Sequence, residues 1–252
     1  MNDTWGKGLR LARQFRSASL LPLLALLLSV GFKLPPAHSE SVDRASDTME
    51  ARVQPCAACH GAQGQGVVNK DEFPRLAGKP AGYLYNQLVA FRSGRRHYTP
   101  MNFLLEFLPD PYLHAMADYF AAQRPQLPPR AIPIVSKDVL ALGQSIVMRG
   151  DSGRDIPACA GCHGSLFTGM EPVIPGLLGL KPSYISAQLG AWRYGTRTAA
   201  APDCMQIVAA RLTEADVTAV AAWLSTLPSP DNPTPVPRGT LAMPLACGTE
   251  PN

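Results

Sequence analysis

Apolar positions along the chain fall into three kinds of pattern. Leu20–Phe32, LLPLLALLLSVGF, is an almost continuous apolar run. Farther on, apolar residues recur at helical spacing. Tyr83, Leu84, Leu88 and Phe91 share one face, and so do Tyr184, Ile185, Leu189 and Trp192. Leu113, Met116 and Phe120 predict a second helix, as do Val217, Val220 and Leu224. Thr213 with Asp216 marks the start of that last helix. A further helix is predicted around 138–149, and a shorter, less periodic one around 47–53. The third pattern is the absence of any: 124–137 holds four prolines and 228–252 holds seven. The first reads as a stiff extended linker and the second as a non-helical tail over the surface. No strand alternation is found, so the predicted fold class is all-α.

The helical patterns recur because the sequence does. CAACHG at 56–61 returns as CAGCHG at 159–164, an offset of 103. FPRLAGKPAGYLYNQLVAFRSGRR at 73–96 returns at 174–197, with Pro74, Gly78, Tyr83, Gln87, Leu88, Arg92 and Gly94 falling on Pro175, Gly179, Tyr184, Gln188, Leu189, Arg193 and Gly195. The stretch 108–122 falls on 212–226. Two tandem helical domains are therefore expected, at 46–123 and 138–228, with 124–137 as linker and 229–252 as tail. Units this small have marginal cores, which a large embedded cofactor would complete.

The apolar run Leu20–Phe32 follows Lys7, Arg10, Arg13 and Arg16 and precedes Ala37-His38-Ser39. That order predicts an export signal over 1–39, either cleaved or kept as an N-terminal membrane anchor. The run is short for a spanning helix, which takes ~20 residues. The rest of the chain is expected in the periplasm, where oxidised cysteines persist. Removing 1–39 takes five basic residues and one acidic residue from totals of 23 and 19, leaving 18 against 18. The basic excess belongs to the signal, and no basic run with interleaved aromatics points to nucleic acid.

In this compartment the two C-x-x-C-H motifs carry the chemistry. C-x-x-C alone suits zinc or a redox dithiol, whereas C-x-x-C-H is the attachment signature of haem c. On one helical turn, Cys56 and Cys59 lie on one side with His60 beside them. The cysteines would form thioethers to the porphyrin and the histidine would ligate iron. Cys159, Cys162 and His163 repeat the set, so two covalent haems are expected. Two dithiols with incidental histidines are the alternative.

Methionine is the expected second axial ligand for electron transfer at raised potential. Met101 lies 41 residues after His60, and Met205 lies 42 after His163, both in segments read as irregular. Met116 and Met148 are assigned to helical core positions; Met170 and Met243 have no counterpart in the other repeat. His97 and Cys204 are rival ligands. Cys204 is more simply paired with Cys247, the remaining cysteine, in a disulfide whose loop of 43 residues would contribute ~3–4 kcal/mol.

With these residues the chain resembles the exported class I dihaem cytochromes c, most nearly the cytochrome c-four group, over about residues 50–227. The resemblance implies two cytochrome c domains with their haem propionate edges close together and His/Met iron in both. It implies an electron carrier whose partners are redox proteins: a membrane respiratory complex, a dehydrogenase, or a terminal oxidase or reductase. A dihaem enzyme of peroxidase or thiosulfate-oxidising type is the alternative, and matched methionines favour the carrier. Arg92, Arg95, Arg96 and His97 form the densest basic cluster after the signal. They are expected to orient an acidic partner, with Arg92 and Arg193 against haem propionates.

Overall fold

The computed structural model describes residues 47–67 and 70–250. The predicted export signal at 1–39 lies outside them. No described helix is long and apolar enough to cross a membrane.

The first half contains α1 (Met49–Arg52), α2 (Gln54–His60), α3 (Ala81–Arg92), α4 (Thr99–Leu105) and α5 (Asp110–Ala122). The second contains α6 (Lys137–Arg149), α7 (Cys159–His163), α8 (Pro182–Arg193), α9 (Cys204–Arg211) and α10 (Glu214–Ser225). The predicted faces are the packed ones: Leu84 and Phe91 of α3 meet Leu113, Met116 and Phe120 of α5 in one core. Ile185 and Leu189 of α8 meet Val217, Val220 and Leu224 of α10 in the other. Thr213 and Asp216 close a reciprocal capping box at the start of α10.

Where α6 crosses α10, backbones nearly touch. A Cβ on Gly143 would lie 2.1 Å from the Ala219 carbonyl oxygen, so only glycine permits this approach. Ile146 and Val147 follow on the same buried face. Met148 lies about 100° farther round the helix and is exposed, not in the core as its sequence position suggested. Met116 is buried.

Two further departures are local. Gly169–Met170 (β1) and Ile174–Pro175 (β2) form a two-stranded antiparallel ribbon too short to leave an alternating pattern. Met101 and Met205 lie in the first turns of α4 and α9, not in irregular segments. Pro100 sits in the first turn of α4, where its fixed φ starts a helix and its missing N–H costs nothing. Asp203 caps α9 by accepting from the Gln206 amide.

The seam between the halves is a pseudo-twofold exchange. Residues 96 and 197 pair as an antiparallel bridge, and the Thr198 amide donates to the Arg95 carbonyl at 2.8 Å. Arg96 donates to Gln87 of its own half, then across to Tyr184 and Gln188. Arg197 donates to Gln188, then across to Tyr83 and Gln87. Both arginines are buried. Arg96 therefore drops out of the basic docking patch, because it is inside the seam, whereas Arg95, bonded to Ser93, and His97 stay exposed. Arg92 and Arg193 pair with the carboxylates of Asp110 and Glu214.

Candidate functional site

Each C-x-x-C-H motif lies on a short helix that ends at its histidine, with a glycine at φ above +80° turning the chain away: Gly61 at 84° and Gly164 at 81°. The two histidines are held alike. His60 Nδ1 donates to the Pro74 carbonyl at 2.9 Å, and His163 Nδ1 donates to the Pro175 carbonyl at 2.8 Å. A carbonyl only accepts, so the proton sits on Nδ1 and Nε2 is left with its lone pair for a metal. Burial pushes both histidines below their ordinary value, keeping the rings neutral. Pro74 and Pro175 stood out in the sequence only as matched repeat positions, and prolines carry no hint of acceptor duty.

Among the described residues, Cys56, Cys59, Cys159 and Cys162 are free, whereas Cys204 and Cys247 form a disulfide. Burial raises the thiols of Cys56 and Cys162 and pushes Cys159 up to about 12. Dithiol exchange needs a thiolate at neutral pH, and these environments oppose one. They suit thiols committed to a covalent, apolar-bound group. Cys204, already bonded, has no thiolate to offer iron. His97 is exposed.

In the second half Cys159, Cys162, His163 and Met205 line one large cavity whose walls are otherwise mostly apolar, among them Leu180, Ile185, Leu189 and Trp192. In the first half Cys56 and Met101 pack against the same core cluster as Tyr98 and Leu105.

Two observations test whether a haem fits. Trp192 Nε1, on the cavity wall, is buried with no hydrogen-bond partner. Arg96 and Arg197 are buried close to each other with only neutral side chains as hydrogen-bond acceptors, and Arg197 lines the cavity. An orphaned donor and two buried cations without a carboxylate are costly alone. An apolar macrocycle with carboxylate substituents meets all these needs, and it fits the residues present. Sequence repetition could have flagged this pair, since Arg96 and Arg197 are 101 positions apart like the residues around them. Cation–π stacking holds each in place: Arg96 over Phe91 at 4.5 Å and Arg197 over Trp192 at 3.6 Å.

Comparison with known proteins agrees with this geometry. Residues 51–117 match the family described as Cytochrome c. The chain is 38% identical over 173 residues to the thiosulfate dehydrogenase electron acceptor of Thiomonas intermedia, covering 69% of this chain and 78% of that one. It is 33% identical over 207 residues to cytochrome c4 of Pseudomonas aeruginosa, covering 81% and 98%. Among solved structures it resembles reduced recombinant cytochrome c4 from Pseudomonas stutzeri, with 28% identity, a TM-score of 0.62 and coverage of 71% and 96%. It also resembles a thiosulfate dehydrogenase from Marichromatium purpuratum, with 36% identity, a TM-score of 0.61 and coverage of 69% of this chain and 36% of that one. The chain belongs to the dihaem cytochrome c4 family: it carries two covalently bound haem c groups and transfers electrons.

Proposed function

We propose that Cys56 and Cys59 hold one haem and Cys159 and Cys162 the other, with His60 and Met101, and His163 and Met205, as axial pairs. The protein is then a periplasmic carrier delivered by the 1–39 segment, not an enzyme. The observation that carries this reading is the matched pair of histidine locks, His60 on Pro74 and His163 on Pro175. Each fixes an imidazole rigidly, and a carrier needs ligands that do not move between oxidation states. The haem iron supplies the one-electron couple. The chain supplies neutral imidazoles, apolar walls that exclude water, and buried arginines beside the seam. Met205 lines the same cavity as His163, where a catalytic haem would need an open position. Visible spectra test this: a methionine–iron band at the red edge from both haems supports the carrier, and a high-spin signal from either supports an enzyme.

As donor we propose a thiosulfate dehydrogenase. Relatives 38% and 37% identical to this chain bear the name of that enzyme's electron acceptor. Stopped-flow mixing with a purified thiosulfate dehydrogenase and thiosulfate should reduce both haems within the enzyme's turnover time. Failure there, with normal reduction by other donors, would overturn the partner and leave the carrier intact.

A further inference from the structure

The proline-rich tail is fastened at several points from Val236 onward. The Val236 amide donates to the Gly169 carbonyl at 3.0 Å, and the Glu171 amide donates to the Val236 carbonyl at 2.9 Å. Val236, Leu241 and Met243 then pack on the buried cluster of Met170, Val173 and Ile174. At its end, Cys247 is bonded to Cys204, and the Gly248 amide donates to the Pro202 carbonyl at 2.9 Å. Between these anchors the tail passes over α7. A Cβ on Gly161, between the two motif cysteines, would lie 3.5 Å from Pro244, and one on Gly164 would lie 3.8 Å from Leu241. Met243, Leu245 and Cys247 line the same cavity as Cys159, Cys162 and His163.

The first half is built differently at the matching place. Ala58, the counterpart of Gly161, is exposed, and Gly61 is half-buried where Gly164 is buried. The nearest atoms to a Cβ on Gly61 belong to the flexible side chain of Gln65. The chain leaving α5 does not fold back. Arg75 grips the Pro125 and Gln126 carbonyls, Leu127 packs on the second core, and the Ala131 amide donates to Ser225.

We propose that residues 236–250 are a lid over the thioether edge of the second haem, so that electrons to and from other proteins pass through the first half. This rests on the haem attachment proposed above, which mass and spectrum check separately. Electron transfer falls steeply with distance, so a layer of polypeptide over a porphyrin edge suppresses direct exchange there. In the first half no described segment covers the matching edge, which leaves that haem as the port. The seam of Arg96 and Arg197 then joins port and reservoir. The disulfide pins the lid at its far end, next to Met205.

The test uses the full-length holoprotein with two haems confirmed by mass. A soluble neutral gadolinium chelate broadens proton signals of exposed groups. In the wild type it should broaden the thioether signals of the first haem and spare those of the second. In Cys204→Ser/Cys247→Ser with Leu241→Gln, both sets should broaden. Equal broadening of both haems in the wild type would overturn the lid even if that variant does not fold. A second arm uses Met101→His, which lowers the potential of the first haem. Reduction of its second haem by a small protein donor of matched potential should be slow, and should accelerate when the three lid substitutions are added. An unchanged rate, with both variants folded, would also overturn it.

Discussion

The guanidinium of Arg96 reaches Gln188 in the second half at 2.8 Å, and that of Arg197 reaches Gln87 in the first at 2.6 Å. Each arginine thus holds the helix that carries the other half's buried face, and each glutamine accepts from both arginines. The arrangement brings two positive charges together in the seam, which is favourable only if carboxylates lie nearby. Burial and the neighbouring Arg96 both push Arg197 below its ordinary value.

Replacing Arg197 by Met should therefore do two things. It leaves Gln87 and Gln188 short of a donor in a buried seam, costing about 1–3 kcal/mol. It also removes a positive charge that disfavours ferric iron, so the potential of the second haem should fall. Thermal unfolding and a spectroelectrochemical titration check these together. A lower midpoint temperature with both potentials unchanged would place the propionates elsewhere.

Gly143→Ala should destabilise the second half by about 1–3 kcal/mol, because the new methyl meets backbone that cannot swing aside. The first half shares no part of this crossing. Unfolding followed at each haem should show the second lost earlier and the first nearly unmoved. Coincident loss of both would mean that the seam makes the halves one cooperative unit.

Acid should weaken the protein through its two motif histidines. Burial lowers the folded value of His60 and of His163 below the ordinary 6.5, and iron held at Nε2 would oppose the proton in the same direction. Groups lowered in this way bind more protons when unfolded, so the folded state gains from them above pH 6.5 and loses that gain as pH falls through the folded values. Midpoint temperature should be level from pH 7 upward and decline below the ordinary histidine range, with the methionine–iron band lost in step. A midpoint flat down to the carboxylate range would show that other groups govern acid stability.

Much of this was legible in the sequence because it was written twice. The C-x-x-C-H motifs, the apolar faces of α3 and α8, and the equivalent methionines all survive comparison of one half with the other. What stayed hidden depends on how the halves meet. Arg96 looked like a surface cation because nothing in local spacing reveals that Tyr184 and Gln188, some 90 positions on, close over it. The tail was legible only as a non-helical surface segment pinned by the Cys204–Cys247 disulfide, because proline denies it helix and sheet. Its order comes from side chains such as Leu241 and Met243 falling on a cluster already built, and from one disulfide. The helix around Met101 was missed because Pro100 suggested a loop, when at a first turn proline is an initiator; the one around Met205 starts from the Asp203 cap, which was not read as one.

The proposed methionine ligands give the sharpest separation of the two sites. Histidine is a stronger donor to ferric iron than a thioether, so Met101→His and Met205→His should each lower the potential of one haem. The two need not behave alike. Met205 follows the disulfide-bonded Cys204 and lines a cavity covered by the tail, so its replacement must adapt to a fixed backbone. Met101 lies in α4 with no such tie, and Asn102 secures that turn by donating to the Arg96 carbonyl at 3.0 Å and accepting from the Tyr98 amide at 2.9 Å. Met101→His should therefore give a clean bis-histidine spectrum with the second haem unchanged. Met205→His should give a mixture of bis-histidine and high-spin iron, because a shorter, stiffer side chain cannot recruit backbone movement there. Opening the disulfide by Cys204→Ser/Cys247→Ser in the Met205→His protein should convert the mixture toward bis-histidine. Magnetic circular dichroism of the oxidised variants distinguishes these states, and identical spectra from the two single variants would show that the tail does not constrain the ligand it covers.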